Sequence, residues 1–175
     1  MEYIKQASKT AESNSDNIRG RVNEILADIE ARGEQAVIEL AKKFDNWEGD
    51  FILSDDKKQA LIDQVPEQVK ADIRYAYDQV YGFAKAQRKS INEFETTPLD
   101  GVRLGQRIIP MDVAGCYIPG GRFAHACSAL MSVATAKAAG VETVIACSPP
   151  RGDAIAPAVV YALDVAGADI IIEMG

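Results

Sequence analysis

Residues 113–147, VAGCYIPGGRFAHACSALMSVATAKAAGVETVIAC, hold an apolar run, a glycine pair, an alanine-rich stretch, a lone glycine and a second apolar run. Val113 to Ile118 has the length of a strand rather than of a helix. Pro119, Gly120 and Gly121 punctuate it as a loop. Ala124 to Ala139 is dense in strong helix formers, and Gly140 is placed to end that helix. Val141 to Cys147 reads as the next strand, closed by Ser148, Pro149 and Pro150. A second helix is expected from Asp153 to Ala166, stopped by Gly167, and a third strand from Asp169 to Glu173. Strands alternating with helices of this length imply parallel pairing and right-handed crossovers. The expected fold class is α/β: a Rossmann-like βαβαβ half of a doubly wound parallel sheet.

Upstream of this unit the first ninety residues read as helices. Ile18, Val22, Ile25 and Ile29 recur at intervals of three and four and make one apolar stripe. Val37, Leu40, Ala41 and Phe44 point inward on a second helix. Ser54, Asp55 and Asp56 start a short third one, with acids where the helix dipole favours them. Pro66 opens a long helix whose Val69, Ile73, Tyr77, Val80 and Phe83 are expected in a core. Residues 97–101 form a turn, and Val102, Leu104, Gln106 and Ile108 alternate as in a half-buried strand. Two domains follow: a helical N-terminal segment over 1–95 and an incomplete Rossmann-like α/β domain over 96–175. The last strand runs into Gly175, where a doubly wound sheet ordinarily continues, so the sequence reads as a fragment. An unpaired strand edge and apolar surface are expected around Ile170 to Met174, and with them a dimer or larger assembly.

The net charge of −7 excludes a general affinity for nucleic acid, which needs clustered Lys and Arg. The pairs Lys57-Lys58 and Arg88-Lys89 read as solvated faces. The first twenty residues contain no apolar h-region, and no run is long enough to span a bilayer. The sequence therefore points to a cytoplasmic protein with no membrane partner. Cys116, Cys127 and Cys147 are odd in number, lie in apolar segments and form no CxxC, as small buried hydrophobes in a reducing compartment do. A Cys127–His125 thiol pair is the alternative. No metal site can be assembled around the single histidine, His125, which has no Asp or Glu beside it in sequence.

Ligands of open α/β sheets bind beyond the carboxyl ends of the strands. The loop Tyr117 to His125 occupies that edge. Its glycines permit close backbone approach, the following helix offers free N–H groups, and Arg122 presents a planar donor fork for a carboxylate, phosphate or sulfonate. Two readings stand side by side: an anion site, or a strand-to-helix turn with a solvated Arg122 and a structural His125. Neither GxGxxG nor GxxxxGK[ST] occurs.

The segment Ala114 to Gly121 resembles the G-x-Y-[IV]-P-G-G motif of the histidinol dehydrogenase family. Ile29 to Ala36 with Phe44-Asp45, Ala134 to Val141, Cys147 to Pro150 and Glu173 to Gly175 agree with that family in order and spacing. The resemblance implies the N-terminal part of a homodimeric dehydrogenase that uses NAD and zinc. Such an enzyme oxidises an alcohol to a carboxylate through an aldehyde. It implies an NAD-contacting role for Tyr117 and, beside it, for Pro119, Gly120 and Gly121. It places the catalytic residues and all zinc ligands beyond position 175, so the chain alone is expected to be inactive. After the glycines, Arg122-Phe123-Ala124-His125 resembles the sulfopropanediol dehydrogenase branch, in which Arg122 and His125 would bind the substrate's sulfonate. The substrate alternatives are therefore L-histidinol, giving L-histidine, or a sulfopropanediol, giving sulfolactate. A non-catalytic nucleotide- or anion-binding module is the alternative of a different kind.

Overall fold

The structure is a computed structural model and describes residues 13–120 and 123–175. Helix α1 (Ser13–Arg32) and helix α2 (Glu34–Asp45) meet at Gly33, whose φ of 60° lies in the left-handed region that a Cβ disfavours. Helix α3 (Asp55–Ile62) begins at Ser54, whose hydroxyl accepts from Lys57 N at 3.3 Å; Asp55 and Asp56 occupy its first turn. Helix α4 (Glu67–Ser90) runs 24 residues from Pro66. No helix among the described residues is long and apolar enough to cross a membrane.

Strands β1 (Phe94–Leu99) and β2 (Val102–Gln106) form an antiparallel hairpin, Phe94 facing Gln106 and Leu99 facing Val102. The sequence predicts a turn over 97–101 and one half-buried strand. The turn is tighter, at Asp100-Gly101, and both strands are exposed along their whole length. Period-two alternation identified the strand but not what lies opposite it. Pro98 is tolerated because only two strands pair here and their register shifts between Thr96 and Leu99.

The parallel sheet comprises β3 (Val113–Tyr117), β4 (Thr143–Ser148) and β5 (Ile170–Glu173), in that spatial order. Tyr117 faces Cys147, and Cys147 faces Ile172. The β3–β4 crossover contains α5 (Ala126–Ala129), a π-helical turn (Leu130–Ala134) and α6 (Thr135–Ala139); helix α7 (Pro157–Ala166) makes the second crossover. One sheet face, with Cys116, Ile118, Val144, Ala146 and Ile171, packs into a single core with Leu130, Val133, Val159, Val160 and Leu163. Helices α3 and α4 and the turn between them close that core from outside through Leu61, Ile62, Val65 and Ile73. Burying each such side chain fully contributes roughly 1.5–3 kcal/mol. Both crossovers lie on one face. On the other, Val113, Gly115 and Tyr117 are exposed and Ile145, Cys147, Ile170 and Ile172 are half-buried.

Several boundaries and burials differ from expectation. The first crossover helix starts at Ala126, not Ala124, and carries the π turn. There the Ser132 hydroxyl donates to Ser128 O at 2.7 Å and the Thr135 hydroxyl donates to Met131 O and Ser132 O, loosening the α ladder. Helix α7 starts at Pro157, not Asp153. Arg151 N donates to Ala154 O at 2.9 Å around Gly152 (φ 70°), and Pro157 takes a first-turn position where its missing N–H costs nothing. Phe44 and Phe83, expected inside, are exposed, as are Ile18 and Val22 of the α1 stripe. The expected unpaired edge at Ile170 to Met174 is covered. Leu53 N donates to Ile171 O at 2.9 Å and Glu173 N to Phe51 O at 2.7 Å, so a short antiparallel segment from the chain's own first half closes β5. That segment is too short to give a periodic signal.

Candidate functional site

The carboxyl ends of β3 and β4 are joined past the last paired residues, where Ile118 N donates to Cys147 O at 2.8 Å. Ile118 is fully buried, so the first loop leaves a fixed base. Pro119 and Gly120 are exposed. A Cβ on Gly120 would come within 2.4 Å of Pro149 Cγ. The bare Cα thus lets the first loop lie directly against the second, and Pro149 rather than open space fills the place of the side chain. Gly121 and Arg122 lie outside the described residues.

Tyr117 projects from the open sheet face and is 59% exposed. Gly115, two residues earlier on the same face, has nothing within 4 Å of where its Cβ would be. The space over Gly115 on this face is therefore open. Cys147, the cross-strand partner of Tyr117, is half-buried; its Sγ donates to Met174 O at 2.9 Å. Burial pushes its thiol above the usual cysteine range.

His125 is half-buried at the N-cap position of α5, with φ −89° and ψ 51°. Its carbonyl accepts from Ser128 N at 3.0 Å and Ala129 N at 3.2 Å, while its side chain makes no capping hydrogen bond. Cys127 is exposed, contrary to the expectation of three buried thiols, and all three cysteines are free.

Among the described residues, no group of three or more His, Cys, Asp or Glu side chains could hold a metal ion, so the zinc implied by the resemblance does not fit these residues. The exposed Tyr117 ring and the two apposed loops lie at the carboxyl ends of the parallel strands, the edge at which open α/β sheets bind ligands.

One residue at this edge escaped the sequence reading. Glu173, which ends β5, is 1% exposed. Its Oε2 accepts from Lys57 Nζ at 2.7 Å and its Oε1 accepts from Ile155 N at 3.3 Å. Lys57 and Lys58 are accordingly not a purely solvated pair. Lys57 spans to Glu173 and stands 4.9 Å over the Trp47 ring, and Lys58 pairs with Asp55 and Asp164. The one available signal was an acid closing an otherwise apolar run, Ile170 to Ile172.

Comparison with known proteins places this geometry. The profile described as histidinol dehydrogenase matches residues 8–175. A sulfopropanediol 3-dehydrogenase of Ruegeria pomeroyi is 48% identical over 176 residues, which cover 100% of this chain and 40% of that protein. A histidinol dehydrogenase of Methanococcus maripaludis is 39% identical over 166 residues, 93% of this chain and 39% of its own. The crystal structure of histidinol dehydrogenase from Elizabethkingia anophelis superposes with a TM-score of 0.82 at 25% identity, over 97% of this chain and 38% of that one. The chain therefore spans about 40% of the length of the curated relatives it matches. A family profile running from residue 8 to Gly175, over a fold shared with a solved member, means that the chain belongs to the histidinol dehydrogenase family.

Proposed function

We propose that the chain forms the cofactor side of an NAD-dependent alcohol dehydrogenase whose substrate carries a sulfonate. One observation carries this reading: the Gly120 loop lies against Pro149 at the carboxyl ends of two parallel strands, three residues after the exposed Tyr117 that ends β3. Bound there, NAD would supply the hydride acceptor. Tyr117 would present its ring to the dinucleotide, and Pro119, Gly120 and Gly121 would bring backbone up to it. Arg122 and His125 would supply donors to the sulfonate, and charge-assisted hydrogen bonds of this kind are the strong ones. Zinc enters only as a metal of the whole protein and has no part in these roles.

The sulfonate is favoured over histidinol because a guanidinium beside the glycine loop suits an anion and repels the cationic amine of histidinol. The 48% identity to a sulfopropanediol 3-dehydrogenase points the same way. The 175 residues alone are expected to bind cofactor without turnover. A cytoplasmic homodimer completes the reading, supported by three free cysteines and by exposed Ile109, Met111 and Phe123.

The test is NADH formation by the whole reading frame with zinc, given 2,3-dihydroxypropane-1-sulfonate or L-histidinol. Turnover of the sulfonate is expected, with Arg122→Ala lowering kcat/KM by roughly 10–100-fold. Turnover of histidinol alone would overturn the substrate assignment. NAD binding without turnover of either alcohol would favour a binding module.

A further inference from the structure

We propose that Glu173, held by Lys57, is a positioning residue that sets the second loop of the cofactor edge. The proposal rests on the reading of that edge as the place where NAD binds.

The loop from Pro149 to Ile155 follows β4, and its Pro149 side chain fills the space beside Gly120. At its far end Ile155 is 1% exposed, and its N–H donates to Glu173 Oε1 at 3.3 Å. Glu173 is itself fixed on both sides. Its backbone N–H donates to Phe51 O at 2.7 Å, and its other carboxylate oxygen accepts from Lys57 Nζ at 2.7 Å. Lys57 is held in turn over the face of Trp47, which is 8% exposed. An unbroken series of contacts thus runs from the helical half of the chain through the ion pair to the loop that touches Gly120.

Stability alone is a poor reason for such a pair. Only the Glu173 end of the pair is buried, Lys57 being 38% exposed, and a well-packed apolar side chain in place of a buried charge is often as stable, so the distinct contribution of the charges is to specify geometry. Glu173 joins three elements that no helix or strand ladder joins: β5, α3 and the segment before α7. Without its acceptor the Ile155 N–H is orphaned in the core, and the loop can relieve that only by moving outward toward water.

The experiment compares amide hydrogen exchange and NAD affinity for the chain and its variants. In Glu173→Leu the Ile155 amide should exchange about tenfold faster or more, while Val144 and Ala146 in β4 keep their protection. The Kd for NAD should rise about tenfold in the same variant. Glu173→Gln, which keeps an acceptor for Ile155 N–H, should stay within about threefold of the parent on both measures. Lys57→Met should loosen the Ile155 amide, and Lys57→Arg should restore it; this pair decides the matter if Glu173→Leu does not fold. Unchanged exchange at Ile155, equal loosening of Ile155 and β4, or a looser loop with unchanged NAD affinity would overturn the proposal. A parent chain that binds no NAD would count against the cofactor reading instead, and the exchange data alone would then decide the role of Glu173.

Discussion

Helices α1 and α7 were equally legible as helices and ended in opposite environments. Along α7, Val159, Val160, Tyr161, Ala162, Leu163 and Ala166 are buried between the sheet, α3 and α4. Along α1, Ile18, Val22 and Leu26 are exposed despite their helical spacing. Apolar periodicity fixes which face of a helix seeks cover, but not whether a cover arrives. The sheet repeats the contrast, since one face is sealed by helices and the other leaves Val113 and Tyr117 open. The sealed half sets the frame, and the open half holds the edge proposed to bind the cofactor.

This contrast can be broken by substitution. The largest effect is expected from Leu163→Ala in α7, which should cost about 2–5 kcal/mol in urea denaturation because Leu163 is fully buried. A loss below 1 kcal/mol would mean that this core is not the stable frame. Next comes Gly120→Ala. The added methyl meets Pro149 Cγ at 2.4 Å, so the two loops must separate, at about 1–3 kcal/mol and with weaker NAD binding. Gly115→Ala, on the open face where nothing lies within 4 Å, should change stability by less than about 0.5 kcal/mol. Equal losses for the two glycines would erase the distinction between apposed loops and open face.

A smaller effect is expected at Asp169. The Lys137 ammonium, at 2.6 Å, and the Val144 N–H, at 2.7 Å, hold its carboxyl below the usual aspartate range. A depressed folded value stabilises the fold above the unfolded pKa of about 4 and loses that contribution as pH falls through the folded value. Asp169→Asn should therefore cost about 1 kcal/mol or less near neutrality, since the side chain is 43% exposed, and nothing in strong acid. A pH-independent loss would remove the ion pair as its cause. The smallest effect belongs to Val22→Ala on α1, below about 0.5 kcal/mol for the chain.

Much of this architecture was legible because it rests on local signals. The βαβαβ order came from apolar runs punctuated by Pro119-Gly120, Gly140 and Gly167, and Gly140 and Gly167 do end their helices in the left-handed conformation. What remained hidden depended on partners distant in sequence. Phe51 to Leu53 pairs with β5 across more than a hundred residues, and Glu173 meets Lys57 across 116. Neither contact leaves a periodic trace. At the candidate site the motif picks out the loop and Tyr117, and the structure shows Tyr117 exposed at the end of β3. That the missing Cβ of Gly120 makes room for Pro149 needed coordinates, as did the burial of Glu173.

The central claim is that the loops after β3 and β4 hold the cofactor together. The measurement that tests it most directly is an NAD titration of the isotopically labelled chain followed by amide NMR. Chemical-shift changes are expected to be confined to Tyr117–Ile118, Gly120 and the segment from Arg151 to Ile155, and to be lost in Gly120→Ala. Shifts centred elsewhere, on the α1–α2 pair or the β1–β2 hairpin, with these loops unmoved, would contradict it.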